Sequence, residues 1–216
     1  MLGSFVFSSF GRSIEPLEAV LCLFTMLHHF DHLAVVYDRL LGRPKFAVLR
    51  DLLRLPISGL MLDEGGGTAR ASYPLRSHVG RVVVADISLP MLKQARRKGR
   101  LWTVKSDAEC LPFYNGCFER VLVVDAFHHF ADQERCLEEI SRVLKKGGSL
   151  VIEEPDVRRW PVKVAALAEK LLLMRSRFLP PPLIVEMMAR QGLSARVAES
   201  DRFRVWIVGE KRPEGT

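Results

Sequence analysis

The sequence predicts a doubly wound α/β fold, a mostly parallel sheet with helices on both faces. Four short apolar runs, at residues 59–63, 81–86, 101–105 and 120–125, lack the apolar–polar alternation of half-exposed strands. Unbroken apolar runs of that length suit strands covered on both faces, as in a parallel sheet. A fifth run, 149–153, follows the turn Lys145-Lys146-Gly147-Gly148. Helical patterning lies between the runs, and β–α alternation builds this class of sheet.

Each helix has its own signals. A helix is expected over 69–77, directly after the first strand. The next, 88–97, opens with Ser88 as N-cap and Pro90 in its first turn. Asp132 caps a third over 132–144, which ends by Gly147 and gathers Cys136, Leu137, Ile140, Val143 and Leu144 on one face. An amphipathic helix is expected over 161–178, broken by Pro180-Pro181-Pro182, then another over 183–191 ended by Gly192. Strands at 194–199 and 203–209, separated by Ser200-Asp201-Arg202, are expected to pair as an antiparallel hairpin.

The chain has 216 residues, 48% hydrophobic and 26% charged, which suits one globular domain with a substantial core. Its net charge is +7. Much of the excess lies at expected helix ends, in Arg96, Arg97, Lys98 and Arg100 and in Lys145 and Lys146, where cations complement the helix dipole. Cys22, Cys110, Cys117 and Cys136 show no CxxC spacing, so free thiols and a cytoplasmic setting are expected. Residues 17–30 are largely apolar but are interrupted by Glu18, His28 and His29, and are too short to span a bilayer. A core or surface helix is expected there, with Met26 an alternative translation start. His28 and His32 share a helix face, but no third metal ligand accompanies them and no metal site is assigned.

The most informative segment is Asp63-Glu64-Gly65-Gly66-Gly67-Thr68-Ala69, a glycine turn at the carboxyl end of the first strand, where such sheets bind ligands. A phosphate-binding GxxxxGK[ST] loop does not match. The dinucleotide pattern GxGxxG fails from Gly65, because Arg70 occupies its last position, and from Gly66, because Thr68 stands two residues on. The pattern D-x-G-x-G-x-G of S-adenosylmethionine (SAM) binding turns fits at Asp63, Gly65 and Gly67, with Ala69 replacing the final glycine at the expected helix start. Asp86, at the tip of the second strand and 19 residues after Gly67, is placed to accept from ribose hydroxyls. Capping the following helix is its competing role.

Further motifs follow in order: Val84-Ala85-Asp86-Ile87-Ser88 with Met91-Leu92, then Ser106-Asp107-Ala108-Glu109-Cys110-Leu111-Pro112-Phe113. Ala126-Phe127-His128-His129-Phe130 comes next, then Glu139-Ile140-Ser141-Arg142-Val143-Leu144-Lys145-Lys146-Gly147-Gly148. With Phe30-Asp31-His32 and Tyr37-Asp38 upstream, the chain from about Phe30 to Gly209 resembles the class I SAM-dependent methyltransferases of the ubiquinone/menaquinone-biosynthesis type. The resemblance implies a Rossmann-like, doubly wound seven-stranded sheet, mostly parallel with an antiparallel last strand. It implies residues 1–40 as an N-terminal extension with a lead-in helix, and 41–210 as the methyltransferase domain, with a small helical cap around 157–182.

The resemblance also implies roles. SAM is the cofactor: Gly65, Gly66 and Gly67 face its methionine part, and Asp63 helps hold the ammonium. Asp86 takes the ribose, with Ile87 and Met91 against the adenine. Asp107 accepts from the adenine amino group beside Ala108. Asp125 and Ala126 lie near the sulfonium, and Tyr37 covers the site. Glu64, where the family usually has an apolar residue, and Ala69 are departures that bear on SAM affinity. Methyl transfer is an in-line displacement served chiefly by positioning. A base is needed only if the acceptor must lose a proton, and His128 and His129 are its candidates. Packing beneath the site and capping the helix at Asp132 are their structural alternatives.

The expected acceptor is a small molecule, a quinone precursor or another lipophilic metabolite. The 157–182 segment combines Val164, Leu167, Leu171, Leu172 and Met174 with Arg158, Arg159, Lys163, Lys170, Arg175 and Arg177, which also suits transient contact with an anionic membrane surface. Nucleic-acid methylation is the first alternative. No basic patch interleaved with aromatics supports it, and Asp125-Ala126-Phe127-His128 stands where base-amino methylases carry Asn/Asp-Pro-Pro-Tyr. A non-catalytic protein of this fold is the second.

Overall fold

A computed structural model describes residues 44–160, 162–163 and 176–213. The extension 1–40, with helix 17–30, Met26, the His28–His32 pair and Tyr37, lies outside the described residues, as does most of helix 161–178 in the cap.

In chain order the elements are helix α1 (Phe46–Leu52), strand β1 (Leu60–Glu64), a 3-10 turn (Tyr73–His78), β2 (Arg81–Asp86), α2 (Leu89–Arg97), β3 (Trp102–Lys105) and β4 (Phe118–Val124). A short 3-10 turn (Phe127–His129), α3 (Gln133–Val143), β5 (Leu144–Pro155), α4 (Pro181–Arg190), β6 (Leu193–Ser200) and β7 (Arg204–Lys211) follow. The strands form one seven-stranded sheet in the order β3-β2-β1-β4-β5-β7-β6. β7 runs antiparallel to both β5 and β6, and the other pairings are parallel. This is the Rossmann-like doubly wound sheet with its antiparallel last strand. Strand order reverses between β1 and β4, so a crevice opens at their carboxyl ends.

Both faces are covered, which accounts for the unbroken apolar runs. Leu62, Val121, Val123, Leu150 and Ile152 face one core with Leu137 and Ile140 of α3 and Met188 of α4. Met61, Val82, Val84, Leu122, Val151 and Trp206 face the other with Leu49 of α1 and Leu92 and Ala95 of α2. Ser88 caps α2 by accepting from Met91 N, and Asp132 caps α3 by accepting from Arg135 N at 3.0 Å. No helix among the described residues is long and apolar enough to cross a membrane.

Two local expectations are corrected. The segment 69–77 is not an α-helix: Ala69 has φ +61°, outside the helical region, and only a proline-containing 3-10 turn follows from Tyr73. The fifth strand begins earlier than 149. β5 pairs Leu144 with Phe118, and the register then shifts to Arg120↔Ser149, with Gly147 at φ +77° in the intervening stretch.

Candidate active site

The turn after β1 leaves no room for a side chain at its first two glycines. Gly65 has φ +65°, and a Cβ on it would lie 2.6 Å from Ala126 Cβ at the end of β4. A Cβ on Gly66 would lie 2.5 Å from the Asp63 carboxylate. Gly67, at φ +52°, is different, because its Cβ would sit in ordinary van der Waals contact between Asp86 Oδ2 at 3.7 Å and Met91 Sδ at 3.9 Å, and its backbone angle rather than crowding favours glycine. The turn is tied to β2: Gly67 N donates to Asp86 Oδ2 at 2.8 Å, and Ser88 N donates to Asp86 Oδ1 at 2.8 Å. Asp86 therefore fastens the glycine turn to the start of α2. An ionised carboxylate has about four acceptor positions, so this fastening is compatible with accepting from ribose hydroxyls as well.

Around the turn lies a cavity of about 230 Å³ at the carboxyl ends of β1, β2 and β4. β1 and its turn contribute Asp63 to Gly67, β2 and α2 contribute Asp86, Ile87, Ser88 and Met91, and the loop after β3 contributes Ser106, Asp107, Ala108 and Glu109. Val124, Asp125 and Ala126, then His129, Phe130 and Ala131, close the other side, with Cys136 of α3 and with Arg70 and Ala71. The structure thus gathers Asp63, Gly65, Gly66, Gly67, Asp86, Ile87, Met91, Asp107, Ala108, Asp125 and Ala126 around one space. The loop carrying Asp107 and Ala108 is clamped by α3: Leu111 N donates to Glu139 at 2.8 Å, and Arg142 donates to the carbonyls of Leu111 and Phe113 at 2.9 and 2.7 Å.

The two candidate histidines are separated. His129 borders the cavity, whereas His128 is buried behind the wall, with its Nδ1 2.5 Å from Glu154 Oε2 and its ring stacked on Phe178. Among the described residues, His128 does not line the cavity. Burial, and after it the neighbouring His128, push the His129 imidazolium down to about 3. His129 is therefore neutral at physiological pH and holds a proton too weakly to suit a general base there.

Acidic groups dominate the electrostatics. Asp63 is 1% exposed, accepts from Ser72 Oγ, and is pushed up to about 7 by burial, with the Asp86 charge adding to the rise. Glu64 is equally buried, and burial followed by the charges of Asp86 and Asp63 raises it well above the usual carboxylate range. Among the described residues, Asp63 Oδ1, Glu64 Oε2 and Ser106 Oγ are buried without a hydrogen-bond partner, and all three residues border the cavity. Asp125, at φ +51°, forms a 2.7 Å ion pair with Arg70.

Sequence reasoning passed over three of these residues. Arg70 enters the sequence reading only as the residue that breaks the dinucleotide pattern, and its partner Asp125 lies 55 residues away. Phe130 stands in the sequence only within the Ala126–Phe130 motif, yet its ring lies 3.3 Å from where a Gly65 Cβ would stand. Glu154 accepts from Ala126 N at 3.1 Å, Phe127 N at 2.9 Å and His128, and so holds the wall after β4 in place.

Residues 62–152 match the model of a methyltransferase domain family. The chain is 33% identical over 197 residues to the ubiquinone/menaquinone biosynthesis C-methyltransferase UbiE of Enterobacter sp. (strain 638), covering 82% of this chain and 75% of that protein. Among solved structures, a SAM-dependent methyltransferase from Thermotoga maritima superposes with a TM-score of 0.71 at 24% identity, over 87% of this chain and all of the other. The geranyl diphosphate C-methyltransferase of Streptomyces coelicolor, solved with S-adenosyl-L-homocysteine (SAH), gives 0.65 at 15% identity over 77% of this chain and 78% of its own. The two superpositions speak for the fold, and the 33% relative carries the family. The chain belongs to the class I SAM-dependent methyltransferases, in the family of the ubiquinone/menaquinone biosynthesis C-methyltransferases.

Proposed function

We propose that this SAM-dependent methyltransferase methylates a small lipophilic acceptor of the quinone-precursor kind, at carbon. The observation that carries the proposal is the likeness to ubiquinone/menaquinone biosynthesis C-methyltransferases at 33% identity over most of both chains. The cavity fits the cofactor. Gly67 leaves a cradle that a Cβ would fill, an acid stands at the tip of β2, and unpartnered buried oxygens of Asp63 and Ser106 border the same space. In this reading Asp86 accepts from the ribose, Ile87 and Met91 flank the adenine, and Asp107 accepts from its amino group beside Ala108. Gly65 to Gly67 and Asp63 hold the methionine end, and Asp125 and Ala126 border the reacting centre.

Bound SAM supplies an electrophilic methyl on a sulfonium. The chain's own work is to orient the acceptor in line with that methyl and to exclude water. The aromatic ring of Phe130 and the apolar Ala126 and Ala131 provide an unreactive wall. His129, neutral and half-buried, serves as a hydrogen-bonding wall residue rather than a proton store. His129→Ala is accordingly expected to raise KM for the acceptor more than it lowers kcat. The reverse pattern would restore the base role.

The test is a transfer assay with isotopically labelled methyl SAM against reduced quinone precursors lacking a ring methyl, read by mass spectrometry. Carbon-bound label in the quinol product is expected. Label found in RNA, or only in hydrophilic metabolites, would overturn the acceptor assignment.

A further inference from the structure

The cavity wall holds one acidic group for which these roles have no use. Glu64, the last residue of β1, is 1% exposed and borders the cavity; the Gly65 backbone donates to its carboxyl, but among the described residues its Oε2 has no hydrogen-bond partner. An unsatisfied buried carboxyl is costly, and a ligand bringing positive charge relieves it. Among the described residues, no cation acts on Glu64. Asp63 on the same strand, Asp86 on β2 and Asp107 after β3 all act on Glu64 with negative charge. From α3 it meets the Cys136 thiol, which its charge helps to push up. Arg70 is engaged with Asp125 at 2.7 Å, His129 is neutral, and Lys98 at the end of α2 acts on Asp63. The wall is therefore acidic well beyond what Arg70 offsets.

We propose that Glu64, together with Asp63, reads the charge of the ligand, favouring the sulfonium-bearing methyl donor over the uncharged thioether product and coupling donor binding to release of a proton. The inference rests on the SAM reading above. The proton balance is simple. Donor binding converts a protonated carboxyl of the pair to carboxylate, and the proton goes to solvent. Once the methyl has left, the thioether carries no charge at sulfur, the carboxyl recovers a proton, and the product loses its electrostatic hold. Both acids are raised chiefly by burial and then by the Asp86 charge, and Asp63 adds to the rise at Glu64, so a proton is available for release below neutrality. The device favours exchange of spent product for fresh donor, increasingly so as pH rises.

Titration calorimetry tests this with SAM and SAH as ligands, on the wild type, Glu64→Gln and Glu64→Leu. Runs at pH 5.5 to 7.5, each in two buffers of different ionisation enthalpy, give both affinity and proton count. For the wild type we expect release of about half a proton more with SAM than with SAH, so that the SAM-to-SAH affinity ratio rises about tenfold across the range. In both variants the rise is expected to shrink to about threefold, the share left to Asp63. The α-amino group of SAM begins to titrate at the upper end, but equally for all three proteins, so it cancels in the difference. Equal slopes and proton counts in all three would overturn the proposal, as would a flat wild-type ratio, which needs no variant to fold. A wild type that binds neither ligand would instead refute the SAM reading itself.

Discussion

Glu154 bears more of the active-site wall than any residue whose position suggested function. It sits in β5, 4% exposed, and its carboxylate takes three buried donors: Ala126 N at 3.1 Å, Phe127 N at 2.9 Å and His128 Nδ1 at 2.5 Å. Glu154→Ala strands all three. Each unsatisfied buried donor costs about 1–3 kcal/mol, and at the lower end of that range the total is about 3–5 kcal/mol. That is a large share of the roughly 5–15 kcal/mol by which domains are stable. Glu154→Gln should behave differently. Its carbonyl can keep both backbone donors, and its amide can donate to Nδ1 of a neutral His128 carrying its proton on Nε2, so the loss is about 1 kcal/mol. Urea unfolding followed by circular dichroism reads this directly, with the alanine midpoint expected about 2 M below the wild type at a typical slope. Because Ala126 and His129 ride on the same segment, SAH affinity should fall with the alanine variant and persist with glutamine. An alanine variant within 1 kcal/mol of wild type, or a glutamine variant as damaged as alanine, would refute the reasoning.

Asp63 makes ligand-free stability depend on pH in an unusual direction. Its folded value of about 7 lies above the ordinary 3.8, so between these the folded state binds more protons than the unfolded one. The stabilisation is complete below about pH 4 and is lost as pH rises toward 7. Thermal melts should therefore decline less steeply across that window in Asp63→Asn, and parallel slopes would contradict the assignment. Arg70→Met removes the 2.7 Å partner of a largely buried Asp125 and should cost about 3 kcal/mol in urea unfolding. No loss would mean that Arg204, 3.6 Å from the same carboxylate, suffices. For Ala69→Gly, relief of a left-handed alanine is worth about 1–2 kcal/mol. Glycine's unfolded-state freedom takes back about 0.4–1 kcal/mol, and the lost buried methyl about 0.8. Unfolding free energies within about 1 kcal/mol of each other are expected, and a gain beyond 2 kcal/mol would contradict this balance.

The parts of the site that were legible in the sequence are those governed by local geometry. Strands buried on both faces write unbroken apolar runs, so β1, β2 and β4 stand out, and the 19-residue step from Gly67 to Asp86 is one crossover between the parallel strands β1 and β2. Ala69 misled because a helix start and a left-handed turn residue look alike one position after a glycine turn, and only the backbone angle separates them. Glu154 was illegible for the opposite reason. A carboxylate inside a strand usually argues for exposure, and its donors come from residues 27 and 28 positions earlier, across a strand pairing. Adjacent histidines could not be ranked either, because the 3-10 turn that sends His129 to the cavity and His128 behind it depends on Glu154 and Phe178.

The central claim is that a nucleoside rests on the glycine turn with its sugar held by Asp86. Calorimetric titration of SAH into the wild type and into folded Asp86→Ala measures it directly. One site per chain is predicted in the wild type, weakened at least about a hundredfold in the variant, as the loss of two charge-assisted hydrogen bonds requires. No binding to the wild type, or the same affinity in both proteins, would contradict it.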